Sequence, residues 1–327
     1  MAGLGTRLRP HTWSKPKPLI GLAGKTVLDH LLGQFSSLPD IRYAEFVFIV
    51  GPNQLEQIQM HMQQNYPHIK VDYVLQEKMR GQSDALFLAR EYLRGPMLMC
   101  FSDTLIETDL SALAKERIDG IAWVKRVDDP RRFGVAEVDQ SGRIKHLIEK
   151  PKNTDNNLAL VGFYYFSQGK KLMDAIQAQI DRKLAQKNEY FLVDAVNIML
   201  EGGAHFRSQV VEIWLDAGKA DAILETNQYL LSHGHDNSKS IRDRNGVSII
   251  PPVYIHTDVE IYNSVIGPFV SIAKGCHLDH VIIKNSIIEE NVKINHRILD
   301  NSILGRNVQI EGHSEILNLG DDACMSK

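Results

Sequence analysis

Gly3-Leu4-Gly5-Thr6-Arg7-Leu8-Arg9-Pro10, followed by Lys15-Pro16-Lys17-Pro18-Leu19, is the stretch on which the reading of this chain turns. Two glycines let the backbone approach an anion closely and turn N–H groups inward, and cations stand beside them. Such a loop suits a triphosphate whose charge must be held while one phosphorus is attacked. A tight turn with solvated basic residues is the plainer alternative. Two other phosphate loops do not fit the spacing. The dinucleotide fingerprint wants a small residue where Leu8 stands, and the P-loop ends in Gly-Lys-Ser/Thr. A phosphate loop also normally follows a buried strand, yet the first glycine here is residue 3. An apolar strand upstream is therefore expected in the natural protein, with Met1 an internal position. The 327-residue form is then expected to be poorly stable and weakly active.

Working outward, residues up to about 232 alternate helical and extended patterns, as in a mostly parallel sheet covered by helices. The apolar run 46–50 predicts a buried strand, and Asn53 caps a helix reaching about Tyr66. Strands are predicted at 71–75 and 97–101, the second buried and ending at Ser102-Asp103, with a helix over 83–94 between them. Extended segments at 121–127, 133–138, 144–149 and 159–166 precede helices near 168–184 and 191–201. A strand near 207–213 leads into Trp214-Leu215-Asp216-Ala217-Gly218 and a further helix.

Residues 233–246 are polar and nearly free of large apolar side chains, a linker by composition. Beyond them apolar residues recur six positions apart in blocks: Ile255 and Ile261; Ile266, Ile272 and Leu278; Ile288 and Ile294; Leu304, Ile310 and Ile316. Asn-Ser-Val/Ile returns at 263, 285 and 301. A period of six suits a solenoid in which each hexad forms one side of a triangular coil. A small β-sandwich would instead show alternation of period two and hairpin turns.

A chain of 327 residues can hold two domains, each with its own core. Apolar content of 43% and charged content of 24% are those of a globular protein. A formal net charge of -3 argues against a nucleic-acid binder. No apolar run approaches a membrane span or the apolar core of a signal peptide, and no membrane partner is expected. Cys100, Cys276 and Cys324 are scattered without Cys-x-x-Cys spacing, which fits a cytoplasmic protein without a disulfide framework.

Asp103 and Asp216 each stand where a strand ends, the usual place for ligands in open α/β sheets. Two such carboxylates could share a Mg²⁺ bridging phosphate oxygens, although each could equally serve a turn or a helix cap. Arg7 can fork across two phosphate oxygens and Lys17 supplies a compact charge, while Lys15 is expected at the surface. Leu4, Gly5 and Thr6 are the expected backbone contacts to the nucleotide. Gln76 with Gly81 reads as a pair for the base: the amide offers an acceptor and donors on one edge, and the glycine allows close approach.

The N-terminal string, with Thr-Arg after the second glycine and Lys-Pro beyond it, resembles the signature of sugar-1-phosphate nucleotidylyltransferases. Trp214-Leu215-Asp216-Ala217-Gly218 is similar to the family's Trp-x-Asp-x-Gly, and Ser102-Asp103 to its Gly-Asp with serine for glycine. Glu149-Lys150-Pro151, coming after Phe133-Gly134-Val135, is similar to its Glu-Lys-Pro. The tail resembles the left-handed parallel β-helix of hexapeptide-repeat proteins. Together these imply a Rossmann-like nucleotidyltransferase domain with a mixed sheet over 1–232, a linker at 233–246 and a left-handed β-helix over 247–327, the layout of long-form glucose-1-phosphate thymidylyltransferases.

The resemblance implies that Arg7 engages the triphosphate and Lys17 the phosphates at the reacting centre. It implies that Glu149 meets sugar hydroxyls, Lys150 the sugar phosphate, and Gly162 the sugar against backbone. Glu189 and Asp194 would be structural or at the sugar rim. The implied reaction joins an NTP and a sugar 1-phosphate into an NDP-sugar with release of pyrophosphate, using Mg²⁺, with dTTP and glucose 1-phosphate the expected pair. UTP or GTP with another sugar is one alternative. Others are acetyl transfer on the β-helix through one of His256, His277, His280, His296 or His313, and a sugar-nucleotide sensor without activity. A homo-oligomer is expected, because an open solenoid end must be capped or paired.

Overall fold

The computed structural model describes Gly3 and residues 5–39, 41–241 and 246–312. The chain divides into two compact units, Met1–Ile20 with Thr26–Ala222, and Gly21–Lys25 with Ile223–Lys327.

In the first unit, α1 (Val27–Gln34) starts from a reciprocal cap. Asp29 N–H donates to Thr26 Oγ1 at 3.1 Å, and Thr26 N–H donates to Asp29 Oδ2 at 2.8 Å. The parallel pair β1 (Phe46–Val50) and β2 (Val71–Leu75) is connected through α2 (Leu55–Asn65). His61 of α2 reaches back to Asp29 Oδ1 at 2.7 Å. Burial pushes the Asp29 carboxyl up, but hydrogen bonds from His61 and Thr26 outweigh it and hold it down at about 2.

The remaining elements are α3 (Gln82–Leu88), β3 (Met97–Cys100), β4 (Thr104–Ile106), β5 (Gly120–Arg126), β6 (Gly134–Val138), β7 (Ile144–Glu149), β8 (Leu158–Phe166), α4 (Gly169–Asp181), α5 (Leu192–Glu201), β9 (Phe206–Val210) and β10 (Trp214–Asp216). Every residue of β8 is buried, and this apolar strand organises a six-stranded sheet of order β9-β5-β8-β6-β7, with β3 also on β8. It runs antiparallel to β3, β5 and β6. Only β9 and β5 are parallel within this sheet, so it is mixed where alternating elements suggested a mostly parallel one. Apolar residues from α4 and α5 cover one face, and residues from α1 and α2 contribute to a second cluster that includes Phe163 and Trp123.

Two runs expected to be buried strands are only partly so: Phe46, Val47 and Ile49 in β1, and Met97, Leu98 and Cys100 in β3, are intermediate. The reason is visible in the pairing. β1 has β2 on one edge and β3 has β8 on one edge, and among the described residues neither has a strand on its other edge. Both line the same cavity. The helix expected over 83–94 stops at Leu88, beyond which the chain tightens into turns such as Tyr92 N–H to Ala89 O at 3.0 Å.

The second unit is a parallel β-solenoid. Its asparagines explain its shape. Asn263, Asn285, Asn291, Asn301 and Asn307 all take positive φ, a conformation asparagine tolerates better than most residues, and each turns a corner. The serine after such a corner closes it: Ser286 Oγ donates to Lys284 O at 2.6 Å, and Ser302 Oγ to Asp300 O at 2.9 Å. The recurring Asn-Ser-Val/Ile is therefore corner, lock and strand start.

The six-residue period holds on only part of each coil. Val247 pairs with Ser264 and Glu260 with His277, 17 positions on, whereas Ile287 pairs with Ile303 and Lys293 with Gln309, 16 positions on. Three hexads would give eighteen. The first corner is the longer one: four residues separate Ile266 from Ser271, but three separate their partners Ile283 and Ile287.

The helix α6 (Ala220–Leu230), expected to close the first domain, belongs from Ile223 onward to the second unit. Asn227, 1% exposed, is the reason. Its Oδ1 accepts from Ser271 Oγ at 2.7 Å and from the Ala23 N–H at 3.0 Å, and its Nδ2 donates to Phe269 O at 3.4 Å. Asn227→Ala should leave the buried Ala23 N–H without its acceptor, at a cost of about 2 kcal/mol. Hydrogen exchange at the Ala23 amide should speed up by at least tenfold; an unchanged rate would remove Asn227 from this role.

Candidate functional site

The loop that opens the chain is pinned by its neighbours. Gly5 takes φ +61°, and its carbonyl accepts from Leu8 N–H at 2.9 Å and from Thr12 Oγ1 at 2.8 Å. Leu8 is buried at 1% exposure, which leaves Thr6 and Arg7 exposed on the short turn it anchors. Leu4 lies outside the described residues. Gly3, Gly5, Thr6, Arg7, Lys17, Gln76, Gly81, Asp103 and Gly218 line one cavity of 1510 Å³. Lys15, expected at the surface, is only 9% exposed and has a partner.

Antiparallel pairing of β4 with β10 brings the two aspartates together. Asp216 is in register with Thr104, and the Ala217 N–H donates to the Asp103 carbonyl at 3.0 Å. The Lys17 ammonium pairs with Asp103 Oδ2 and is only 11% exposed. Asp216 Oδ1 accepts from Gly218 N–H at 2.6 Å. A Cβ on Gly218 would lie 2.5 Å from Asp216 Oδ1 and 3.3 Å from Lys17 Nζ, so the ammonium and both carboxylates crowd one spot. Among the described residues no three or more His, Cys, Asp or Glu side chains are grouped to hold a metal. Two carboxylates nevertheless fit Mg²⁺, which keeps several waters and needs few protein oxygens. Lys17 already stands there as a cation.

The expected base-reading pair is arranged differently from the reading of its sequence. Gln76, 3% exposed, has its donors engaged: Nε2 donates to Gly81 O at 3.3 Å and to Asp84 Oδ2 at 3.1 Å. Gly81, at φ +95°, is required by the protein itself, since a Cβ there would lie 2.4 Å from Tyr190 O. The Tyr190 backbone clamps this loop, donating to Arg80 O at 2.8 Å and accepting from Ser83 N–H at 3.1 Å. Sequence reasoning missed Asp84 and Tyr190. For Asp84 the signal was present: it stands four residues after Arg80 at the start of α3, and the two pair at 2.7 Å.

Glu149, Lys150 and Gly162 do not line that cavity, and neither does Asp216, which stands beside it. Glu149 and Lys150 pair at 3.1 Å, and Lys150 Nζ stands 4.8 Å from the centre of the Phe191 ring. Burial pushes the Glu149 carboxyl above its ordinary value, Lys150 pulls it back, and the charges of Asp194 and Glu189 push it up again. Burial likewise raises Asp194, against a hydrogen bond from Gln186. Glu189 does line the cavity and so connects this acidic group to the loop. Gly162 lies at the irregularity of β8, where a Cβ would be 2.3 Å from the Phe101 ring.

The solenoid histidines sit on its surface pattern. His280 and His296 occupy positive-φ corners and stack with ring centres 4.6 Å apart, and His277 meets Glu260 at 3.0 Å. His256 accepts from the Asp258 N–H at 3.1 Å, and His313 lies outside the described residues. No helix among the described residues is long and apolar enough to cross a membrane.

Comparison with known proteins agrees with this architecture. Residues 249–326 match the GMPPB C-terminal domain. A glucose-1-phosphate thymidylyltransferase of Streptomyces griseus is 29% identical over 318 residues, covering 89% of this chain and 86% of the relative. The low-salt glycan biosynthesis nucleotidyltransferase Agl11 of Haloferax volcanii is 30% identical over 319 residues, covering 88% and 85%. The bifunctional protein GlmU of Methanocaldococcus jannaschii is 31% identical over 246 residues, 75% of this chain but 57% of the relative. Among solved structures, a candidate glucose-1-phosphate thymidylyltransferase from Bacillus anthracis has a TM-score of 0.59 at 21% identity, covering 75% of this chain and 95% of its own. A UDP-glucose pyrophosphorylase gives the same TM-score, 0.59, at 18% identity, covering 71% and 96%. These two show the fold alone. Residues 1–233 match the nucleotidyl transferase family model, and with the Gly5–Arg7 loop, Lys17 and Asp103 lining one cavity, the chain belongs to the nucleotidyl transferase family.

Proposed function

We propose that the chain transfers a nucleotidyl group from an NTP to a sugar 1-phosphate, with dTTP and glucose 1-phosphate its preferred pair. An oxygen of the sugar phosphate attacks the α-phosphorus, the new P–O bond forms, and the bond to the bridging oxygen of the leaving pyrophosphate breaks. The nucleophile is already an anion, so no general base is needed, and catalysis reduces to positioning and charge stabilisation. The observation that carries this reading is the Lys17–Asp103 pair beside Asp216, in one cavity with Gly5, Thr6 and Arg7.

In this reading Arg7 forks across triphosphate oxygens, and Lys17 turns from Asp103 toward the phosphates when substrate arrives. Asp103 and Asp216 would hold a Mg²⁺, which when bound supplies neutralising charge to the phosphates. Glu149 would accept from sugar hydroxyls and Lys150 would meet the sugar phosphate. The names of the full-length relatives from Streptomyces griseus and Haloferax volcanii support the class of reaction.

Pyrophosphate release over the common NTPs and several sugar 1-phosphates tests the proposal. dTTP with glucose 1-phosphate should give the highest kcat/KM, and Asp216→Asn should lower kcat with that pair by about a hundredfold. No pyrophosphate release with any pair would end the reading.

Because the Glu149 carboxyl is held above its ordinary value, it becomes protonated at a higher pH than an exposed glutamate does. Binding of sugar 1-phosphate should therefore weaken as pH falls, beginning above the ordinary glutamate range. In Glu149→Gln the overall kcat/KM for the sugar phosphate should drop about tenfold or more and this acid limb should vanish. A limb that persists unchanged in the variant belongs to another group.

A further inference from the structure

The orientation of one amide carries an inference about which bases the site accepts. Gln76 Nε2 faces two groups that can only accept from it, the Gly81 carbonyl at 3.3 Å and the Asp84 carboxylate at 3.1 Å. Turning the amide over would set its carbonyl oxygen against two other oxygens. The Asp84 carboxylate is itself held, 5% exposed, with its other oxygen 2.7 Å from the Arg80 guanidinium. Arg80 in turn is fixed through its carbonyl, which accepts from the Tyr190 N–H at 2.8 Å. Both amide protons are thus committed inward. Oε1 is left over: it takes no hydrogen bond among the described residues, and Gln76 lines the cavity that holds Gly5, Arg7 and Lys17.

We infer that Asp84 is a positioning residue that makes Gln76 a pure acceptor at the cavity wall, so that the site selects bases presenting a ring N–H donor. Thymine, uracil and guanine have such a donor. Cytosine and adenine present a ring nitrogen lone pair at the corresponding place, which would meet the Gln76 oxygen lone pair to lone pair. Two acceptors cannot pair, and a site that leaves a buried polar group unpaired discriminates strongly. The inference rests on the nucleotide-binding reading of the cavity but goes beyond it, because it assigns the choice of base to a side chain that need not touch the nucleotide.

The replacement Asp84→Asn separates the charge from the shape. An asparagine can offer Gln76 an amide donor in place of a carboxylate, which frees the glutamine to turn its NH₂ toward the cavity. The full-length chain is used, with direct binding of dTTP and dCTP and steady-state kinetics with both. The wild type should favour dTTP over dCTP by a hundredfold or more. In Asp84→Asn that ratio should fall at least tenfold, through KM, with kcat for dTTP changed by less than threefold. Gln76→Leu should lose selectivity to a similar extent, and the double variant should lose no more than either alone, because Asp84 acts through Gln76. A purely structural role for Asp84 would lower both nucleotides together and add to the effect of Gln76→Leu.

A folded Asp84→Asn that keeps the wild-type ratio overturns the inference while leaving the nucleotidyl-transfer reading in place. A wild type that binds neither nucleotide overturns both. Should Asp84→Asn fail to fold, the wild type decides. With ¹⁵N-glutamine labelling, and the Gln76 resonances identified by their loss in Gln76→Leu, the Nε2 protons should exchange slowly with and without dTTP. Fast exchange in the free protein overturns the inference.

Discussion

The two strand-end carboxylates of the first unit, Asp103 and Asp216, are gathered around the Lys17 ammonium. The pairing of β4 with β10 sets Asp103 and Asp216 side by side, and two carboxylates so placed repel each other strongly once water is thinned out around them. A cation only 11% exposed, paired with Asp103 and beside Asp216, makes that arrangement tolerable. Its own desolvation is offset by the Asp103 carboxylate it pairs with. The requirement spreads outward. The turn carrying Lys17 must lie against the ribbon, and a side chain on Gly218 would press on both Asp216 Oδ1 and Lys17 Nζ. An anionic ligand bound here would exchange partners with groups already charged and oriented, which lowers the reorganisation needed at the moment of reaction.

A second clamp works through backbone. Tyr190 holds the Arg80–Ser83 loop by hydrogen bonds on both sides, and Gly81 has no room for a Cβ because of it. The segment around Tyr190 also contains Glu189, which lines the cavity and whose charge is felt by Glu149. The Gln76–Gly81 wall of the cavity and the acidic group near Glu149 are therefore connected by one short stretch of chain, although their residues are separated by some seventy positions.

Much of this was legible because it follows from local pattern. Strand positions 71–75 and 144–149 match the structure, since apolar periodicity needs no knowledge of partners. The Gly-x-Gly-Thr-Arg string and the two aspartates could be read as candidates for phosphate and cation chemistry, but residue type left turns and helix caps equally open and the family resemblance favoured the first reading. What was hidden depends on partners distant in sequence. The antiparallel course of β8 could not be read from Leu158–Phe166, because a strand buried on both faces looks the same in either direction. Burial of Lys15 and the intermediate exposure of Val47 and Leu98 depend on which neighbours arrive. Gln76 was readable as polar and well placed, but which end of its amide is free is decided by Asp84, itself a residue that sequence alone would assign to an exposed first turn of a helix. The six-residue rhythm of the tail was real on some sides and one residue short on others, a difference set by corner geometry at Asn285 and Gly267-Pro268-Phe269 rather than by the apolar pattern.

The asparagine-and-serine corners have a consequence for how the tail can change over time. Each coil contacts chiefly the coils before and after it; its corners are made by one residue at positive φ and a hydroxyl closing on the carbonyl two positions back, and corner asparagines of successive coils hydrogen-bond to one another. A single-residue insertion within a side would throw every later inward side chain toward solvent. A duplication of 16 or 17 residues, one full coil, would restore register at both of its ends. Change by whole coils therefore keeps every corner and every inward side chain, whereas a one-residue change is absorbed only at a corner, as between Ile266 and Ser271.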